Sequence, residues 1–100
     1  YGVTVNDAAS AETALTVADD VFGPGHSFRL PHPTMGAEDF SYVLHRVPGA
    51  MMFLGGTPLD RDPSKAAPNH SNRVVFDETA MVDGIAVYSA LALRHLAGAR

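Results

Sequence analysis

Ala50-Met51-Met52-Phe53-Leu54, followed by Gly55-Gly56, decides the fold class. The run is apolar without alternation, so it predicts a strand covered on both faces, as in the parallel sheets of α/β proteins. Before it, Pro48-Gly49 ends a helical stretch in which Phe40, Val43, Leu44 and Val47 mark a buried stripe. Glu38 and Asp39 fall in the first turn of that helix, where the macrodipole favours negative charge. Further back, His26-Ser27-Phe28-Arg29-Leu30 alternates roughly and predicts a second strand, ended by Pro31-His32-Pro33 because proline cannot donate to a ladder. Upstream of that, Asn6-Asp7 caps a helix carrying Ala14, Leu15, Ala18, Val21 and Phe22 at helical spacing, and Gly23-Pro24-Gly25 stops it.

After the central run comes a polar stretch, Thr57 to Asn72, with Pro58, Pro63 and Pro68. A loop this long is usually functional or mobile. Val74-Val75-Phe76 is a brief extended piece, and Asp77 caps a last helix from Glu78 to about Ala97. Apolar residues cover much of that helix's circumference, so it is expected to be buried over a wide arc. The element order predicts an α/β layer architecture with a mostly parallel sheet, about three helices and two or three short strands. So few strands leave an apolar edge, which suggests that the sheet continues elsewhere.

Composition sets outer limits. The chain has 100 residues, 46% hydrophobic and 18% charged, which excludes disorder of the low-hydropathy, high-charge kind. Seven basic against eleven acidic side chains give a formal net charge of −4. That balance offers no basic stripe for nucleic acid or for an anionic membrane surface. No apolar run approaches the ~20 residues of a spanning helix. Cysteine is absent, so thiolate chemistry and disulfides are excluded. No basic n-region or signal-type apolar stretch stands at the N-terminus, so a cytoplasmic location is expected. Tyr1 is not an initiator residue, and the sequence is expected to be a piece of a longer product.

Two segments offer chemistry. His26, His32, His45, His70 and His95 include no pair at metal-ligand spacing. His26 and His32 flank turns, and His45 and His95 lie near helix C-termini, where the dipole favours a cation. His70 differs, because it closes the long polar loop between Asn69 and Ser71, where a rigid scaffold tends to place sites. The second segment is Met35-Gly36-Ala37-Glu38-Asp39-Phe40. A glycine before a helix start leaves N–H groups free for an anion such as a substrate carboxylate. The same residues also read as a tight turn whose acids merely offset the dipole.

Thr34-Met35-Gly36-Ala37-Glu38-Asp39-Phe40-Ser41-Tyr42, then Val47 to Gly55, then Asn69-His70-Ser71, Phe76-Asp77-Glu78 and the final helix form an ordered series. From about Asn6 to Leu96 it resembles the C-terminal segment of the metal-dependent amidohydrolases and metallopeptidases of the hippurate hydrolase, N-acyl-amino-acid and indole-acetyl-amino-acid amidohydrolase group, in the aminoacylase superfamily. The resemblance implies that residues 1–100 are the C-terminal part of a catalytic α/β sandwich whose N-terminal part and inserted lid domain are absent here. It implies hydrolysis of the amide bond of N-acyl amino acids or small peptides by metal-activated water. The cofactors it implies are two divalent ions per full-length site: zinc, manganese, cobalt or nickel. The resemblance also implies that His70 is the one metal ligand this part supplies and that Gly36, Ala37 and Glu38 line the substrate site. No catalytic residue is carried over, since the general-base glutamate belongs to the earlier part. A proline often follows the ligand histidine in the family, at the positions held here by Ser71 and Asn72.

A metal site needs three or four protein ligands, so the chain alone is expected to be inactive. The partners implied are the N-acyl amino acid or peptide substrate, the missing N-terminal part and, through the lid, a homo-oligomer; nucleic acid and membrane are not expected. The alternative is a non-catalytic small α/β module that binds a protein through an exposed sheet edge.

Overall fold

Asp7 starts the first helix, and its chemistry shows why the chain turns there. In the computed structural model, which describes residues 1–98, helix α1 spans Ala8–Phe22. The Asp7 backbone is extended, and its Oδ2 accepts from the Ser10 N–H at 2.8 Å and from the Ser10 hydroxyl at 2.8 Å. These bonds satisfy donors that the first turn leaves free. The helix ends at Gly23, whose φ of 90° lies in the left-handed region that only glycine enters at little cost, and whose N–H donates to Asp19 O at 2.8 Å. Ala14, Val17 and Ala18, on one helical face, are buried.

The last helix, α3, spans Ala80–Gly98, and its approach is an Asp77 turn. Asp77 Oδ1 accepts from the Thr79 N–H at 3.0 Å and the Thr79 hydroxyl at 2.6 Å. The helix therefore begins two residues later than expected, after i→i+3 bonds from Ala80 to Asp77 and from Met81 to Glu78. α1 and α3 pack together, with Val87 the buried residue of α3. Arg94 donates to Asp20 Oδ2 at 3.3 Å across the pair.

The expected middle helix shrinks to α2, Ser41–Leu44. From Val43 onward, bonds to Val43 O from both Arg46 and Val47 tighten and loosen the turn, and Pro48 closes it. Val43 and Val47 are exposed, so the predicted buried stripe is not formed.

The α/β expectation is overturned: three helices and a 3-10 turn at Pro63–Lys65 make up the regular structure, with no strand among the described residues. The physical reason is pairing. A strand exists only beside another, and neither apolar run finds one. Met51 shows the point, because its N–H and C=O are taken by one side chain: Asn6 Oδ1 accepts from Met51 N at 2.8 Å and Asn6 Nδ2 donates to Met51 O at 3.0 Å. Single backbone bonds from Asp7 to Gly49 O (2.9 Å) and from Asp77 to Gly56 O (2.8 Å) hold the ends of the run. Phe53, expected inside a sheet, is 64% exposed. The exposed sheet edge required by the interaction-module alternative is likewise missing from the described residues.

The wide burial expected for α3 is also corrected. Met81, Val82, Ile85, Tyr88, Leu93 and Leu96 are all exposed. The chain presents 8197 Å² of accessible surface, where a close-packed chain of this length would show roughly 5,500 Å². Its radius of gyration is 14.9 Å, against about 13 Å for a compact domain of this size. The helix pair is therefore a scaffold with most of its apolar surface uncovered. No helix among the described residues is long and apolar enough to cross a membrane.

Candidate functional site

His70 stands on two consecutive turns. Ser71 N–H donates to Pro68 O at 2.9 Å, and Val74 N–H donates to Ser71 O at 3.2 Å. The Ser71 hydroxyl accepts from Arg73 N–H at 3.1 Å. A proline at 71 would lack the N–H that makes the first of these bonds. Hydrogen bonds thus fix the loop after His70. The imidazole is exposed and has no hydrogen-bond partner among the described residues.

Gly36, Ala37 and Glu38 are exposed on the segment leading to α2. Gly36 is not in the left-handed region, and a Cβ there would meet open space. The backbone thus does not itself demand glycine at 36. With α2 only four residues long and starting at Ser41, Glu38 and Asp39 lie ahead of its first turn. The helix-end rationale for an anion at this segment therefore loses its footing. No hydrogen bond or ion pair joins the 36–38 segment to His70 among the described residues.

The remaining histidines serve structure or stand exposed. His45, the C-cap of α2, bonds through Nε2 to Val3 O at 3.0 Å and pins the N-terminal segment, where Tyr1 also meets Tyr42 at 5.9 Å between ring centres. His26 Nδ1 lies 3.1 Å from Gly23 O. His32 and His95 are exposed.

The described residues do not assemble a divalent-ion site by themselves. Among the described residues no three His, Asp or Glu side chains gather closely enough to hold one. A lone exposed imidazole supplies one ligand of the three or four required.

Two features escaped the sequence reading. The hydroxyl of Ser41, 0% exposed, has no hydrogen-bond partner among the described residues. Ser41 lies within the Thr34–Tyr42 motif, and nothing in a sequence shows that a serine will be orphaned. The second is a solvent-open cleft of about 670 Å³, beside the His70 loop, lined by Arg61, Asp62, Lys65, Pro68 and Arg73 among others. Asp62 Oδ1 accepts from the Ser64 hydroxyl at 2.7 Å and the Ser64 N–H at 2.9 Å, and these bonds hold its carboxyl below the usual value. Arg61 and Lys65 stand four residues apart, but the only helical piece here is the Pro63–Lys65 turn, so successive turns and not one regular element bring Arg73 to the same cleft.

A profile of peptidase family M20/M25/M40 matches residues 1–94. The chain belongs to this family. The IAA-amino acid hydrolase ILR1-like 6 of Arabidopsis thaliana is 33% identical over 96 residues, covering 96% of this chain and 20% of the relative. Thermostable carboxypeptidase 2 of Saccharolobus solfataricus is 29% identical over 96 residues, covering 94% of the chain and 22% of the relative. N-acetyldiaminopimelate deacetylase of Leuconostoc citreum is 37% identical over 65 residues, 65% of the chain and 14% of the relative. The amidohydrolase and peptidase resemblance carried by the motifs is thereby borne out, and the M20 segment spans about a fifth of the length of the curated relatives it matches. No solved structure matches it.

Proposed function

We propose that residues 1–100 are the C-terminal part of the catalytic domain of a dinuclear-metal amidohydrolase that cleaves N-acyl amino acids or small peptides. The observation that carries this reading is the family match from residue 1 to residue 94. The names of the relatives add a substrate class: an amino-acid conjugate, a carboxypeptidase substrate and an N-acetylated amino acid share an amide bond next to an amino-acid unit. In this reading His70 offers one imidazole to the metal site, and Gly36, Ala37 and Glu38 lie against the substrate. A divalent ion held there by His70 together with ligands from the rest of the enzyme would supply Lewis-acid activation of water. Imidazole suits zinc, manganese, cobalt and nickel alike, so the ligand does not choose the metal. The general base and the other ligands come from the remainder of the enzyme, with a lid and any homo-oligomer contact lying there too. A cytoplasmic setting goes with this reading and rests on it alone.

The excess surface supports a second element of the proposal, that the isolated chain is inactive. A segment with roughly half as much surface again as a close-packed chain is built to be covered. The exposed apolar face of α3 and the Met52–Leu54 run are the surfaces the rest of the enzyme would cover. The test is hydrolysis of a panel of N-acyl amino acids by the full-length enzyme containing this segment and by the purified chain. The full-length enzyme is expected to turn over at least one of them and to lose activity on chelation. Turnover by the chain alone, free of longer contaminants, would refute the inactive-fragment reading; no turnover of any by the full-length enzyme would refute the activity.

A further inference from the structure

The cleft beside the His70 loop draws cations together in a chain that is acidic overall. Three of its seven Lys and Arg residues, Arg61, Lys65 and Arg73, line this one cleft, against a single lining carboxylate, Asp62. Asp62 is already committed, to Ser64 and to Lys65 at 3.7 Å. Arg61 and Arg73 have no carboxylate within 4 Å among the described residues, whereas Arg29 pairs with Glu12 and Arg94 with Asp20. Asp60 sits on the same loop but does not line the cleft. Each guanidinium is a planar fork of donors that matches a carboxylate, and both residues line the same cleft. A cleft lined by one sign of charge also concentrates the oppositely charged ligand.

We infer that the Arg61–Arg73 cleft binds the free carboxylate of a small acyl amino acid or peptide. The inference deepens the amidohydrolase reading and rests on it for the identity of the ligand. It places a specificity device in the same loop as His70, three residues from Arg73, so that the charged end of a substrate is held by the segment that carries the imidazole. The 57–73 loop then discriminates free acids from amides and esters, a selectivity that the Gly36–Glu38 segment, with no cation of its own, does not provide.

The first test uses the chain itself, with N-acetylglycine as the probe and the uncharged N-acetylglycinamide as its control, followed by amide resonances at constant ionic strength. N-acetylglycine is expected to shift signals from residues 61–73, and the amide is not. In the double variant Arg61→Gln/Arg73→Gln the affinity is expected to fall about tenfold, as two solvent-exposed charge pairs each worth a factor of about three. Both side chains are exposed and unpaired, so the variant keeps its helicity, which circular dichroism checks. An equal response to acid and amide, no response to either, or unchanged affinity in the variant overturns the carboxylate site. So does inorganic phosphate binding more than tenfold tighter than N-acetylglycine, which would make the cleft a phosphate site.

The second test is kinetic, in the full-length enzyme. Arg61→Gln/Arg73→Gln is expected to raise KM for the acyl amino acid about tenfold, with a smaller effect on kcat and none on the corresponding amide. Arg46→Gln, which removes a cation that lies outside this cleft and has no ion-pair partner among the described residues, is the control and leaves KM as it was. An unchanged KM in the double variant overturns the substrate role. An enzyme that hydrolyses no acyl amino acid overturns the amidohydrolase reading instead, while the titration of the chain still decides whether the cleft takes carboxylates.

Discussion

Gly84→Ala sets two effects against each other at the contact between α3 and the apolar run. Gly84 lies inside α3, where glycine costs about 1 kcal/mol relative to alanine because its backbone loses more freedom. A Cβ at 84 would sit 3.2 Å from Leu54 Cδ2, tighter than ordinary contact by a few tenths of an ångström. The atom it meets is the far end of a flexible side chain that is 54% exposed. Leu54 can therefore swing away, at a cost of about 0.5 kcal/mol on the scale of modest rotamer strain. Helix propensity wins, and the isolated chain is expected to gain about 0.5 kcal/mol, or roughly 2–4 °C in Tm for a domain of this size. Urea unfolding followed by far-ultraviolet ellipticity reads this directly. The sign is expected to reverse in the full-length enzyme. There the proposed covering surface closes the space into which Leu54 would move, and overpacking typically costs about 1–3 kcal/mol. A loss of stability in the isolated chain would refute the reasoning, since it would mean that Leu54 is already locked against α3.

Further expectations concern the core, the caps and the substrate segment. Ser41→Ala removes a buried hydroxyl that has no partner, and is expected to leave stability unchanged or raise it by about 1 kcal/mol; a loss of more than about 1 kcal/mol in the same unfolding assay would show that the hydroxyl is paired. Val17→Ala deletes two methyl groups from a four-residue core and is expected to cost about 2 kcal/mol, seen as a lower urea midpoint and weaker helix signal. The carboxyls of Asp7, Asp62 and Asp77 are held below their ordinary value of 3.8, by Ser10 N–H, Ser64 hydroxyl and Thr79 hydroxyl first. Each folded value is depressed, so its contribution is present above pH 3.8 and lost as pH falls through the folded value. Helicity should thus hold down to about pH 4 and fall below it, and Asp7→Asn should flatten part of that fall. Gly36→Val is expected to leave the fold intact, because its Cβ meets open space, and to raise KM in the full-length enzyme; unchanged kinetics would remove the segment from the site.

Legibility in the sequence followed the range of the interaction that decides each element. Asp7 with Ser10, and Gly23 with Asp19, are partners within four residues, and both ends of α1 were readable from the residue types alone. The start of α3 was readable to within two residues, because the Asp77 turn is also local. The Ala50–Leu54 run failed because a strand is a property of two segments, and the partner found here is one asparagine side chain from 45 residues away. The exposure of α3 failed for a related reason: periodicity tells which face wants cover, not whether the cover is present. His70 was readable as the residue closing a long polar loop, while the convergence of Arg61, Lys65 and Arg73 depends on turns that carry no period.

In the proposed function His70 completes a metal site built mostly by other parts of a longer hydrolase. The most direct measurement is the metal content of the full-length enzyme containing this segment, for wild type and His70→Ala, with circular dichroism as the fold control. His70→Ala is expected to stay folded, to lose metal occupancy and to lose nearly all hydrolysis of acyl amino acids. A folded His70→Ala enzyme with undiminished metal and turnover would contradict it.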